Sequence, residues 1–442
     1  MTTPPALFVL EDWNPWWEEQ KGHVPPNLRG RPRSMVDEVQ QYLSLHKVKT
    51  FVGVRRAGKS TILYQLIHLL LTEQGCPPNS VLFLNLEDIR LTEKTVQEWY
   101  ELFLQVQRPQ EIPHIFLDEV HSGKDWVSFV RRLVDRKEAF VYLTDSSSYL
   151  LPPELGKVLT GRKVTFEVYP LSFREYLEFR GEGGEFFGTV GKTRGQGMVR
   201  EYLTRGGFPE VVDQPPTVAR KVLLEYFEDI VGRDVAARFQ VNLSKFREFA
   251  YYVISNPATR MSYRRLQNVF KLGTDVPQRY LEHMENVFLT FPLLKYSTKL
   301  SEQVRSPKKI YPVDPGLVNA VGFKLVDRMG PLLEVVVYLE LRRRGLEVYY
   351  GDFGSSEVDF IVRQGTRVTS LINVTYDMSN ESVVKREVKG LVKGFENFPN
   401  SQLLLLVWEV SDKWFISDET SQISVKSVWE WLLMSDNSEN TK

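Results

Sequence analysis

Between an apolar run at 48–52 and a stretch with helical apolar spacing at 60–71 lies Gly53-Val54-Arg55-Arg56-Ala57-Gly58-Lys59-Ser60, followed by Thr61. This is the full G-x-x-x-x-G-K-[ST] pattern. The glycines let the loop backbone turn its N–H groups inward, and a helix beginning near Lys59 aims its positive dipole end at the same place. Such a loop cradles phosphate: Lys59 is placed for the β- and γ-phosphates of ATP and the Ser60 hydroxyl for Mg²⁺. The pattern also constrains the fold, because its mechanism requires a strand before the loop and a helix after it. Helical and strand segments alternate onward, with strands at 81–86, 115–117, 140–143 and 164–168 and helices at 92–105 and 126–135. Alternation of this kind predicts an α/β domain with a parallel sheet and right-handed crossovers.

A phosphate loop binds but does not hydrolyse, so a second set of groups is required. The short strand His114-Ile115-Phe116-Leu117 ends in Asp118-Glu119, two carboxylates at the carboxyl edge of the sheet, where such folds hold ligands. Asp118 is read as holding the Mg²⁺ shell and Glu119 as orienting or deprotonating the attacking water. The strand at 140–143 ends in Thr144-Asp145-Ser146-Ser147-Ser148. If it neighbours the Asp118 strand, Thr144 or Ser146 reaches the γ-phosphate or the water; a plain polar turn is the alternative.

The phosphate loop, Asn85-Leu86-Glu87-Asp88, Leu117-Asp118-Glu119-Val120, Leu159-Thr160-Gly161-Arg162 and Tyr169-Pro170-Leu171-Ser172-Phe173-Arg174-Glu175-Tyr176 together resemble the archaeal P-loop ATPases of the AAA-like, STAND-related group, over nearly the whole chain. The resemblance implies Arg162 as a γ-phosphate sensor or finger, although the residues alone fit a surface arginine equally well. One departure is Asp145, where a glycine usually follows the sensor threonine. The helical stretch 198–239, with its Gly206-Gly207-Phe208-Pro209-Glu210 turn, resembles the group's helical subdomain, which would bring Arg205 or Arg233 towards the phosphates; a salt-bridged helix surface is the simpler reading.

At 442 residues the chain is too long for one core and predicts two or three domains. With 56 Lys and Arg against 56 Asp and Glu it is no polycation, so binding to nucleic acid requires a local patch. Residues 241–325 supply one, with 13 basic against 6 acidic side chains, a net +7. Helices at 246–255, 262–270 and 276–289, then a hairpin at 296–310 carrying Lys295, Lys299, Arg305, Lys308 and Lys309, resemble a winged helix. Its third helix would present Gln278, Arg279 and Glu282 to a duplex while the wing neutralises phosphates. Partner docking is the alternative. Residues 181–197 are Gly-rich and read as a flexible linker.

Beyond 326, a helix with Glu334, then Glu357-Val358-Asp359-Phe360, then Asn373-Val374-Thr375 resembles the PD-(D/E)XK endonuclease-like fold. Glu334 and Asp359 match; Asn373 replaces the expected acid and Thr375 the expected lysine. Losing an anionic ligand and an ammonium implies a domain that keeps the fold without cutting, unless Lys385, Lys389 or Lys393 migrates into the role. The expected order is therefore an ATPase core with N-terminal extension (1–180), linker and helical subdomain (181–240), winged helix (241–325), nuclease-like domain (326–434) and tail (435–442). One cysteine, Cys76, excludes an internal disulfide, and no apolar run approaches membrane length, so a cytoplasmic protein without membrane contact is expected. Three functions fit: a Mg²⁺-dependent ATPase moving the later modules on double-stranded DNA or another nucleic acid, a STAND-type switch acting on protein partners, or an ATP-regulated nuclease. Monomer, dimer and ring all stay open.

Overall fold

The computed structural model describes residues 5–18, 22–146, 159–184, 188–322, 329–410 and 422–434; Ser147, Ser148 and the tail at 435–442 lie outside them. The chain divides into two compact units, Met1–Val168 and Tyr169–Lys442. The first boundary thus falls earlier than the expected 180. Helix Phe173–Phe179 belongs to the second unit, where Arg174 donates to the Leu433 carbonyl and Arg343 Nη2 lies 3.1 Å from the Pro170 carbonyl.

In the first unit, strands β1 (Val48–Val52), β2 (Val81–Asn85), β3 (His114–Asp118), β4 (Phe140–Asp145) and β5 (Lys163–Glu167) form one parallel sheet in the order β2-β3-β4-β1-β5. Every β1 residue is buried, as expected for a parallel strand covered on both faces. Burial extends to Lys49, whose ammonium donates to the Leu43 and Leu45 carbonyls at 3.1 and 2.5 Å. Edge strand β2 is capped by the N-terminal extension: Asn14 Oδ1 accepts from Phe83 N (2.7 Å), and Trp16 and Trp17 donate to the Val81 carbonyl (3.3 and 2.9 Å). The extension thereby removes an open edge that would template aggregation.

The second unit holds two sheets. Strands β6 (Thr259–Met261), β7 (Thr290–Leu293) and β8 (Lys308–Pro312) form an antiparallel sheet ordered β6-β8-β7, beside helices Leu243–Ile254, Tyr263–Phe270 and Val276–Asn286. The expected hairpin over 296–310 is not formed: helix Leu300–Arg305 occupies the connection, and the paired strands lie outside it. Strands β9 (Glu347–Asp352), β10 (Glu357–Gln364), β11 (Arg367–Thr375), β12 (Gln402–Val407) and β13 (Ile423–Ser427) form the second sheet, antiparallel from β9 to β11 and parallel from β11 to β13. Helices Met329–Arg343 and Glu381–Asn397 accompany it. Tyr350 links the two parts through backbone bonds, donating to the Leu294 carbonyl (3.0 Å) and accepting from Tyr296 N (2.8 Å).

The Gly-rich stretch is not a linker. Helix Gly188–Arg205 runs through most of it, and a Cβ at Gly195 would stand 2.8 Å from Cε3 of the buried Trp429 ring. That glycine serves close packing.

Candidate functional site

The sheet order decides what the strand ends bring together. With β4 between β3 and β1, Thr144 stands beside Asp118 on one side and pairs with Phe51, next to the phosphate loop, on the other. The loop itself depends on close backbone approach: a Cβ at Gly53 would lie 2.1 Å from the Val168 carbonyl oxygen. Gly58 adopts φ 97°, a conformation that admits glycine and little else, and helix Lys59–Thr72 starts immediately after it. Behind the loop, Arg33 Nη1 donates to the Ala57 carbonyl (2.7 Å), while Gln65 Nε2 donates to the carbonyls of Arg29 and Arg31 (2.9 and 2.6 Å). Nothing in the motif pointed to this brace from residues 29–33.

Lys59 is buried, its ammonium donating to the carbonyls of Gly53 and Val54 at 3.1 and 3.2 Å. Ser60 Oγ donates to Asp118 Oδ2 at 2.7 Å, and Thr144 Oγ1 donates to Asp118 Oδ1 at 2.5 Å while accepting from Glu119 N at 2.8 Å. Thr144 thus locks the carboxylate pair from behind. Burial, then the charge of Glu119, raises the Asp118 carboxyl to about 6, against the hydrogen bonds from Thr144 and Ser60. A buried carboxylate with a hydroxyl at hydrogen-bond distance is a donor set that fits a hard divalent cation.

Glu119 lies in the left-handed region at φ 52°, which turns its side chain away from Asp118's partners. Its Oε2 accepts from Ser146 N (3.1 Å) and faces His121 Nδ1 (3.4 Å), with Lys59 Nζ at 3.9 Å from Oε1. Burial alone would raise this carboxyl, but Lys59, the His121 hydrogen bond and Arg55 outweigh it and hold Glu119 down at about 2. His121 was not anticipated, although it stands three positions after Asp118 in the same loop. Burial would lower its pKa; the Glu119 hydrogen bond and the charges of Asp145, Glu119 and Glu87 raise it instead. Asp145, in place of the usual glycine, is 1% exposed with Oδ1 3.7 Å from His121 Nδ1, so the departure is matched by a histidine. Glu119, His121 and Asp145 bring one ligating atom each within 4.8 Å of one another.

Arg162 is not at this site. It precedes β5, at the amino edge of a sheet whose phosphate loop leaves the carboxyl edge, and its Nε pairs with Asp135 Oδ1 at 2.5 Å. The expected sensor is therefore an ion-paired residue at the wrong end of the strands. Arg205, in the second unit, is tied to Glu201 (2.8 Å) and the Gln214 carbonyl. Cys76, half-buried with its thiol pushed up to about 11 by burial, has no nucleophilic character.

In the second unit, Glu334 and Asp359 do converge, but on Lys309 rather than on an open position. Lys309 Nζ lies 2.8, 3.0 and 2.7 Å from carboxylate oxygens of Glu334, Asp359 and Glu357. Asn373 is buried, accepting from Asp359 N (2.9 Å) and donating to Glu387 Oε2 (2.9 Å). None of the candidate replacement lysines enters: Lys385 pairs with Glu381, Lys393 with Glu396, and Lys389 is exposed. The basic wing is depleted in the same way, since Lys308 is buried against the carbonyls of Gln303, Val304 and Ser306, and Lys295 pairs with Glu302 at 2.9 Å.

Residues 196–327 match the model of a domain of unknown function (DUF8612). A protein of Methanocaldococcus jannaschii is 29% identical over 413 residues, covering 90% of each chain, and one of Haemophilus influenzae is 28% identical over 409 residues, covering 90% of this chain and 97% of the other. Both carry the description "uncharacterized". Among solved structures, a Walker-type ATPase of Pyrococcus abyssi gives a TM-score of 0.38 at 11% identity (66% of this chain, 95% of that one), and a STAND protein of Pyrococcus horikoshii gives 0.28 at 13% (71% and 45%). Among the described residues no helix is long and apolar enough to cross a membrane. Residues 45–177 match the model of an AAA domain, and with the phosphate loop and acidic pair inside that span the chain carries an ATPase domain of the P-loop type.

Proposed function

We propose that the ATPase is Mg²⁺-dependent and that its nucleotide state positions the second unit on nucleic acid. The observation that carries the first part is the 2.7 Å contact between Ser60 Oγ and Asp118 Oδ2 at the mouth of the glycine loop. Lys59 would exchange its two carbonyl partners for the β- and γ-phosphate oxygens of ATP, while Ser60 and Asp118 would hold the ion. When bound, Mg²⁺ neutralises charge developing on the phosphate oxygens. Glu119, held ionised and oriented by Ser146 N and His121, orients the attacking water and accepts its proton. Thr144 keeps both acids in register. Loss of the γ-phosphate removes differential contacts made by Lys59, Ser60 and Glu119, which is how hydrolysis shifts a conformational equilibrium.

The nucleic-acid part is supported by the helix pair rather than the wing. Arg264, Arg265, Lys271, Gln278 and Arg279 are exposed on helices Tyr263–Phe270 and Val276–Asn286 and the turn joining them. A polar helix flanked by arginines suits a groove lined by phosphates. One observation favours the second reading, docking of a protein partner: Leu300 and Val304, 73% and 61% exposed, occupy the connection where phosphate-binding charge was expected. Binding of duplex DNA measured across salt concentrations separates the two. A steep fall of log affinity with log salt supports nucleic acid, and a slope near zero supports the protein partner. ATP turnover with and without single- and double-stranded DNA and RNA then tells which nucleic acid, if any, is coupled to hydrolysis.

A further inference from the structure

We infer that the C-terminal domain contains a divalent-cation site whose ion has been replaced by an internal ammonium, Lys309. Three carboxylates from two elements surround it: Glu334 on helix Met329–Arg343, and Glu357 and Asp359 on β10. Lys309 arrives from a third element, β8, and is 4% exposed. Its ammonium donates to Glu334 Oε1 (2.8 Å) and Asp359 Oδ1 (3.0 Å) and lies 2.7 Å from Glu357 Oε1, a buried cation in an all-oxygen cage. Hard oxygen donors converging on one point are also what Mg²⁺ and Mn²⁺ require.

The shell around the cage is built as for a metal. Tyr311 Oη donates to Glu334 Oε1 (2.6 Å), Val374 N to Asp359 Oδ2 (3.0 Å), and Arg260 Nη2 lies 2.8 Å from Glu357 Oε2. Each carboxylate therefore has a second partner fixing its orientation, the role outer-shell groups play around ions. The charge balance points the same way. One ammonium faces three carboxylates, and Arg260 offsets only Glu357. A cage short of positive charge is better suited to a divalent ion than to the cation it holds. Asn373 in place of an acid and Thr375 in place of a lysine then belong to the same change: with Lys309 inside, an anionic fourth ligand is no longer needed.

The test uses the full, nucleotide-free chain and Mn²⁺ alone, counted by electron paramagnetic resonance, comparing wild type, Lys309→Met and Lys309→Met/Asp359→Asn. The phosphate loop is common to all three and cancels. Expected are one additional Mn²⁺ per chain in Lys309→Met, its loss in the double variant, and a Mn²⁺-induced rise in Tm on the order of 3 °C for Lys309→Met only. A folded Lys309→Met chain with the wild-type Mn²⁺ count overturns the inference. So does an additional ion that survives in the Lys309→Met/Asp359→Asn double variant. If Lys309→Met is insoluble in plain buffer but recovered by refolding in Mn²⁺, the inference stands; if Mn²⁺ does not rescue it, the inference falls.

Discussion

Asp118 and Glu119 are adjacent in sequence yet shifted in opposite directions, Asp118 raised to about 6 by burial and Glu119's charge, Glu119 lowered to about 2 by Lys59, His121 and Arg55 against its burial. Two carboxyls pushed apart by their surroundings take different roles. Lys59→Ala is therefore expected to abolish tight ATP binding in a titration, whereas Glu119→Gln retains binding and loses turnover by roughly 100-fold or more. Equal turnover in Glu119→Gln and wild type would remove Glu119 from the chemistry. His114 offers a separate readout of the first unit. It is stacked against Phe140 and hydrogen-bonded to Tyr142 Oη (3.2 Å), and burial, then the charge of Lys49, lowers its pKa to about 4. The unfolded chain binds a proton near pH 6.5 and the folded one does not, so this contribution is present above that pH and is lost as pH falls from about 6.5 to 4. The loss is on the order of 3 kcal/mol. His114→Gln should flatten the Tm of the ATPase domain over that window; an unchanged pH profile would exclude His114 as its source.

At the scale of elements, what could be read in advance was whatever local chemistry dictates. The phosphate loop, its strand and its helix were legible because a run buried on both faces and a glycine turn leave few alternatives, and helix Trp126–Asp135 falls where its apolar spacing put it. Asp118, Glu119 and Thr144 followed from strand ends, and the sheet order supplied the adjacency that spacing alone left conditional. The failures share a cause: the deciding partner is distant in sequence. Arg162 is paired by Asp135 and Lys309 by residues 25 to 50 positions away, neither of which periodicity encodes. Glycine in 188–205 argues against a helix by propensity, yet Trp429 demands a side chain of no size at Gly195. Gly195→Ala discriminates by sign. In a merely exposed helix, alanine adds up to about 1 kcal/mol of stability; against the Trp429 ring it should cost about 1–3 kcal/mol in urea unfolding of the second unit. A stabilised variant would mean the ring yields and the packing account is wrong.

For the molecule as a whole, the division at 168/169 places the phosphate loop and the Asp118, Glu119 and Thr144 cluster, from Gly53 to Ser146, in the first unit. The second unit is held together by contacts that cross its own parts. Gly207 N donates to Asp314 Oδ2 (2.6 Å), Tyr350 bonds to Leu294 and Tyr296, and Lys309 and Tyr311 are completed by Glu334, Glu357 and Asp359. Ending the chain at 325 therefore leaves the nucleotide site whole but strips β8 of every acid that neutralises Lys309, and a buried charge that loses its partners is among the costlier losses a fold can suffer. ATP affinity of that shortened chain should equal the full-length value, while proteolysis within 169–325 accelerates on the order of tenfold or more, because local opening there becomes easier. If residues 241–325 formed a self-sufficient module, as the sequence suggested, cleavage would stay at the full-length rate. Limited proteolysis of both chains in parallel, with fragments identified by mass, decides between a second unit that folds only with its C-terminal sheet and one assembled from separable domains.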